Sequence, residues 1–194
     1  VQNKSVGRRL MEYAIDNVQG QSEGIQLIQA AYNVGSLSLY AKLGFAAREM
    51  LSTMQGPPIN LQLPGYKVRR ATEDDLEACD KICNKVHGHD RGAELRDAIN
   101  SGTASVVEHN GNITGYSTSM AFFGHSVGET NDDLKALIGA ASEFQGPGIL
   151  IPTRNSELLQ WCMENGLRNS MQLTLMSYEG YNEPQGPFMP AILC

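Results

Sequence analysis

Positive charge is scarce in this sequence. Its 15 Lys and Arg face 21 Asp and Glu, which leaves a net charge of −6 over 194 residues. Phosphate backbones are gripped by clustered Lys and Arg, so the composition excludes nucleic acid as an expected partner. Long apolar runs are missing too. None reaches the roughly 18 residues that cross a bilayer, and no secretory pattern opens the sequence. The expectation is a cytoplasmic protein with no membrane partner. Cys79, Cys83, Cys162 and Cys194 have neither disulfide-framework nor zinc-ribbon spacing, so reduced thiols are expected. What the chain does have is 41% hydrophobic and 19% charged residues, enough for an ordinary globular core.

Periodicity divides the chain into short elements. Leu10, Met11, Ala14, Ile15 and Val18 recur at helical spacing, with Arg8, Arg9, Glu12 and Asp16 opposite, and predict an amphipathic helix over 6–18. Residues 25–32 read as a largely buried strand. Asn33 is placed to cap a helix over 36–43, and Gly44 to end it in left-handed geometry. A strand follows over 45–53. Three prolines and two glycines in 56–65 read as a linker. Beyond it come a strand over 66–71, a helix capped by Thr72 and a second helix over 93–100. Strands 104–108 and 113–120 flank Asn110-Gly111, a strong hairpin signal. A helix over 132–141, a strand at 149–151, a helix over 156–165 and a strand over 171–177 follow. The proline-bearing tail 185–194 is confined to a sheet edge.

Two segments share a layout. Asn33 and Gly44-Phe45, preceded by a strand, recur as Asn155 and Gly166-Leu167, each 122 residues further on. The repeat suggests duplication.

These residues resemble the GNAT superfamily of N-acetyltransferases. That family's pyrophosphate loop, Gln/Arg-x-x-Gly-x-Gly/Ala opening a helix, is matched at Gln2 and Gly7 of Gln2-Asn3-Lys4-Ser5-Val6-Gly7, with Ser5 in place of the first glycine. Its later motif is matched by Asn33 and Leu39-Tyr40-Ala41-Lys42-Leu43-Gly44-Phe45. The resemblance implies an α/β (α+β) protein, an acyl-CoA N-acyltransferase-like mixed sheet flanked by helices. It would hold one partial copy (1–55), a linker (56–65) and one complete but degenerate copy (66–194). The family fold places four strands before Gln2, so the chain, which begins at Val1, reads as a fragment of a tandem protein. Residues 25–32 would then have an edge awaiting the second domain or another chain, a route to a homodimer.

The implied activity is transfer of an acetyl group from acetyl-CoA to a primary amine of a small molecule. Helix N-termini present unpaired N–H groups and partial positive charge, which suit a diphosphate. The candidate cofactor-binding residues are therefore Gln2, Asn3, Lys4, Ser5, Val6, Gly7 and Arg8. Asn33 either joins them at the pantetheine or phosphate arm or only caps its helix. By resemblance Tyr40 is the candidate acid that protonates the departing thiolate. In the second copy Cys162 stands where Tyr40 does, and 124–133 carries three acidic residues and no Lys or Arg, which repels a diphosphate. His87-Gly88-His89-Asp90 nominates no further ligand and reads as a solvated loop, so no metal is expected. Cys79, Cys83, Trp161 and the Met171–Met176 stretch read as core.

Overall fold

The computed structural model describes residues 6–18, 20 and 24–193. The first part of the chain runs α1 (Val6–Val18), β1 (Gly24–Ala30), α2 (Val34–Lys42) and β2 (Ala46–Gln55). After 56–65 come β3 (Tyr66–Arg70), a single 3-10 turn (Glu73–Asp75), α3 (Leu76–His87), α4 (Gly92–Asn100), β4 (Ser105–His109) and β5 (Asn112–Ser117). Then follow β6 (Ser126–Gly128), α5 (Asn131–Gly139), β7 (Ile149–Pro152), α6 (Ser156–Glu164), β8 (Arg168–Glu179) and β9 (Phe188–Met189).

Strands from the two ends of the chain interleave. One sheet has the order β1-β8-β2-β7, with every neighbouring pair antiparallel. Its register obeys the 122-residue repeat. Leu51 lies opposite Leu173 at the centre; Ala46 opposite Ser177 is mirrored by Gln55 opposite Arg168. Ala30 opposite Leu173 is mirrored by Pro152 opposite Leu51. The two register shifts leave out Arg48 on β2 and its repeat mate Ser170 on β8. A local two-fold axis therefore passes through the Leu51–Leu173 pair. Both leucines are buried, with Leu150 and Leu175 beside them, each worth roughly 1.5–3 kcal/mol of burial.

The second sheet, β3-β4-β5-β6-β9, is made wholly from residues after the linker segment. Asn110 and Gly111 both have positive φ, +51° and +79°, and form the tight turn between β4 and β5. Helices α3 and α4 cover one face through Cys79, Ile82, Val86 and Leu95. Helix α5 packs on the other, with Leu134, Leu137 and Ile138 against β7 and α6. The 56–65 segment lies on α5: Leu61 donates its N–H to the Gly139 carbonyl at 2.9 Å, and a Cβ at Gly139 would meet the Leu61 carbonyl oxygen at 2.5 Å.

Several expectations change. Only Gln29 of β1 is buried, because β8 pairs one edge and the other is the edge of the sheet. The 124–133 stretch, read as loop, contains β6, whose single Val127 between small residues gave no alternation to see. Trp161 is half-buried, packed against the largest core cluster rather than inside it.

Candidate functional site

Gln2, Asn3, Lys4 and Ser5 lie outside the described residues. Of the rest of the expected cofactor grip, Val6, Gly7 and Arg8 form the start of α1. Val6 and Gly7 are exposed there, and the first turn of α1 has no acidic side chain. A Cβ at Gly7 would touch Leu39 Cδ2 at 3.7 Å, so this helix start sits beside α2, one residue before Tyr40. Arg8 is shared with Glu12, its Nη1 donating to Oε1 at 3.3 Å.

Asn33 caps α2, accepting from the Ser36 N–H at 3.1 Å; of its two expected roles the capping role is present. Tyr40 is half-buried. Its ring meets Phe45 at 5.9 Å between centroids, and Phe45 meets Tyr178 at 5.6 Å. Ile15, Met176, Met11, Ile25 and Leu27 complete this cluster. The Tyr40 hydroxyl makes no hydrogen bond with a described residue. A phenol held by its ring with its oxygen uncommitted is free to donate.

The second half repeats the backbone and changes the chemistry. Asn155 caps α6 by accepting from Leu158 N–H at 3.3 Å, and Gly166 has φ +93° where Gly44 has +98°. Cys162 replaces Tyr40; it is buried, and burial pushes its thiol up to about 12. The start of α5 is already filled by its own carboxylate. Asp133 accepts from the Thr130 N–H and hydroxyl, both at 2.8 Å, and from the buried Thr114 hydroxyl. Asp132 adds a second negative charge in the first turn, which binds Lys135 at 2.9 Å.

A different cluster emerges on the opposite face of the four-stranded sheet. Ile25 and Leu27 point toward Tyr40, whereas Ile28 and Ala30 point to the leucine cluster and Tyr181. On that second side Gln26 and Leu175 help wall a cavity of about 370 Å³ with His87, His89, Arg91 and His125. His87, expected in a solvated loop, ends α3 half-buried, with Nε2 3.1 Å from Nε2 of the buried His125. One imidazole must donate to the other. Either way His125 Nδ1 is buried without a partner. Burial, with His89 and Arg91 adding repulsion, lowers His87 to about 4. Burial likewise carries His125 well below the usual imidazole range. Both rings are neutral at pH 7. Sequence reasoning missed this pair because His125 lies 38 residues from its partner, just before the short strand β6, which has no visible pattern. The structure does not bring Tyr40 and this cavity together.

No protein-family model matches the sequence, and no curated protein matches it either. Solved structures do resemble the fold, among them acetyltransferases and GCN5-related N-acetyltransferases: the chain is a mixed α/β protein with the acyl-CoA N-acyltransferase-like architecture. A Pyrococcus horikoshii protein named as an acetyltransferase superposes with a TM-score of 0.73 at 16% identity, over 100% of this chain and 66% of that one. A GCN5-related N-acetyltransferase from Sphaerobacter thermophilus gives 0.59 at 13% identity, over 94% and 70%. A tandem GNAT protein from the clavulanic acid biosynthesis pathway gives 0.51 at 10% identity, over 92% and 71%. The chain thus spans about two thirds of the length of the Pyrococcus protein, and at these identities the likeness is one of fold.

Proposed function

We propose that this chain is part of an N-acetyltransferase that moves an acetyl group from acetyl-CoA to a primary amine of a small molecule. The observation that carries this reading is the start of α1, free of acidic side chains and set against the helix that bears Tyr40. In this reading Gln2 to Gly7, with Arg8, cradle the pyrophosphate through the N–H groups of the first turn. Asn33 contacts the pantetheine or phosphate arm as well as capping α2. The amine attacks the thioester carbonyl to form the C–N bond, the C–S bond breaks, the leaving thiolate takes the proton of the Tyr40 hydroxyl, and the proton shed by the nitrogen passes through solvent and restores the phenol.

Residues 1–55 are then the second half of one acetyltransferase copy, 56–65 the linker, and 66–194 a degenerate copy. The two-fold register of the shared sheet supports a tandem origin, as does the tandem GNAT protein among its structural neighbours. Pairing of two copies through the outer edge of β1 belongs to the same reading, and light scattering of the purified chain tests it: a dimer is expected, and a clean monomer ends that part.

The competing reading is a non-catalytic ligand-binding or scaffolding module. What favours it is the second half, where Cys162 and the self-capped α5 leave no acetyl-CoA chemistry. Calorimetric titration with acetyl-CoA separates the two. Heat at micromolar ligand, lost when Gly7 is replaced by Asp, is expected for a working grip; absence of heat in the parent chain leaves the module.

A further inference from the structure

We propose that the cavity walled by His87, His125 and Arg91 binds a small molecule bearing a carboxylate. This stands independently of the acetyl-transfer reading, because the cavity and Tyr40 occupy opposite faces of the shared sheet.

The lack of lining carboxylates is the first ground. In a chain of net charge −6, the described residues lining this cavity include three histidines and an arginine and no Asp or Glu. No carboxylate among them repels an anion. Arg91 shares its charge with Glu94 and the paired rings are neutral, so the attraction comes from N–H donors rather than from net charge.

Donors are the second ground. The His87–His125 pair shares one hydrogen bond at 3.1 Å, and His125 Nδ1, fully enclosed, still lacks a partner. That nitrogen is enclosed, so of the pair it is the half-buried His87 ring that can meet a ligand in the cavity. Arg91 turns Nε and Nη2 to Glu94 Oε2, both at 2.6 Å, while Nη1 makes no hydrogen bond with a described residue. The Asn182 side chain adds an amide to the rim, and Leu175 and Phe188 give the wall an apolar part. A carboxylate seated here can accept from an imidazole N–H and the free edge of the guanidinium. A volume of about 370 Å³ suits a molecule of amino-acid to small-metabolite size.

Proton uptake follows. The groups around the pair are His89, Asp90, Arg91 and Glu94 on the α3–α4 side, Cys83 on α3, Tyr116 on β5 and Tyr181 after β8. Cys83 and Tyr116 are held protonated by burial, so they bring no negative charge. A carboxylate placed against the pair raises the imidazoles from their depressed range and draws one proton onto them. Affinity therefore strengthens as pH falls toward the depressed range of His87, about 4.

The test titrates the full chain with succinate, and separately with 1,4-diaminobutane, while ring-nitrogen NMR follows the four histidines. Succinate is expected to shift the His87 and His125 rings and leave His109 unmoved, since His109 stacks on Tyr66 away from the cavity. Arg91→Gln should weaken this binding at least about tenfold. His87→Gln should abolish its pH dependence, with circular dichroism checking the fold of both variants. Three results would overturn the inference: rings unmoved by succinate on the order of 10 mM, a response to the diamine in its place, or binding unchanged in folded Arg91→Gln.

Discussion

The α1–α2 end and the α5–α6 end of the molecule share one backbone and carry opposite chemistry. At Asn33 the cap has φ −87° and ψ 76°, and at Asn155 φ −80° and ψ 69°. Each asparagine accepts from the N–H three residues on. Each helix ends before a glycine at φ above +90°. Yet α1 begins with no acidic residue, whereas α5 begins with Asp132 and a capping carboxylate from Asp133, and Tyr40 faces Cys162 across the repeat. The difference teaches that caps, left-handed glycines and sheet register preserve a fold under their own energetics. The few side chains that do chemistry are free to change without disturbing it.

The largest expected effect tests whether the two ends are one cooperative body. Leu51 and Leu173 face each other on the local axis, both buried. Either residue changed to Ala should cost about 3 kcal/mol, the usual loss for a buried leucine. Because β8 lies between β1 and β2, Leu173→Ala should loosen the first part of the chain as much as the second. Hydrogen exchange resolved by residue checks this. Faster exchange confined to residues after 66 would mean the shared sheet does not couple the halves.

Caps come next. Asn155 Nδ2 also donates to Asn131 Oδ1 at 2.8 Å, in a part-buried setting, while Asn33 is exposed. Asn155→Ala should cost about 2 kcal/mol, and Asn33→Ala about 1, in urea denaturation. Equal losses would show that the extra bond contributes nothing.

A third prediction concerns acid. Asp75 accepts from both terminal nitrogens of Arg69, at 2.7 and 2.8 Å, and from the Thr72 N–H. The Arg69 hydrogen bonds lower its carboxyl to about 2 from an ordinary 3.8. Since the folded value lies below the unfolded one, its stabilisation is complete above about pH 4 and is lost as pH falls toward 2. The amount is about 2 kcal/mol. Asp75→Asn should flatten that part of the stability–pH curve. The first half has no capping box among its described helices, so an equal acid response at α1–α2 would break the contrast.

Much of the local structure was legible because its causes are local. The 6–18 helix, the Asn33 and Asn155 caps, the Asn110-Gly111 turn and the 122-residue repeat are each set by residues within one turn or one strand. The interleaved sheet was not legible, since β1 pairs with β8 across more than 140 positions and periodicity holds no information on such pairing. The same applies to the candidate sites. Tyr40 and Asn33 were named from a contiguous motif, whereas the His87–His125 pair exists only after β6 has docked beside α3.

The smallest structural effect is expected at Tyr40, and for that reason it discriminates best. Its ring is held by Phe45 and the cluster around Met176, while its hydroxyl is uncommitted. Tyr40→Phe keeps the ring and removes only that oxygen, so stability should move by less than about 0.5 kcal/mol. If the hydroxyl protonates the leaving thiolate, turnover in an acetyl-transfer assay of a chain that is active should fall by roughly 100-fold, with acetyl-CoA affinity unchanged. Cys162→Ser, at the equivalent point of the second half, should leave turnover alone and lower stability by about 1–2 kcal/mol, because a hydroxyl is poorly solvated where the thiol is buried. A loss of turnover in Cys162→Ser with stability intact would reverse the assignment of roles between the two ends.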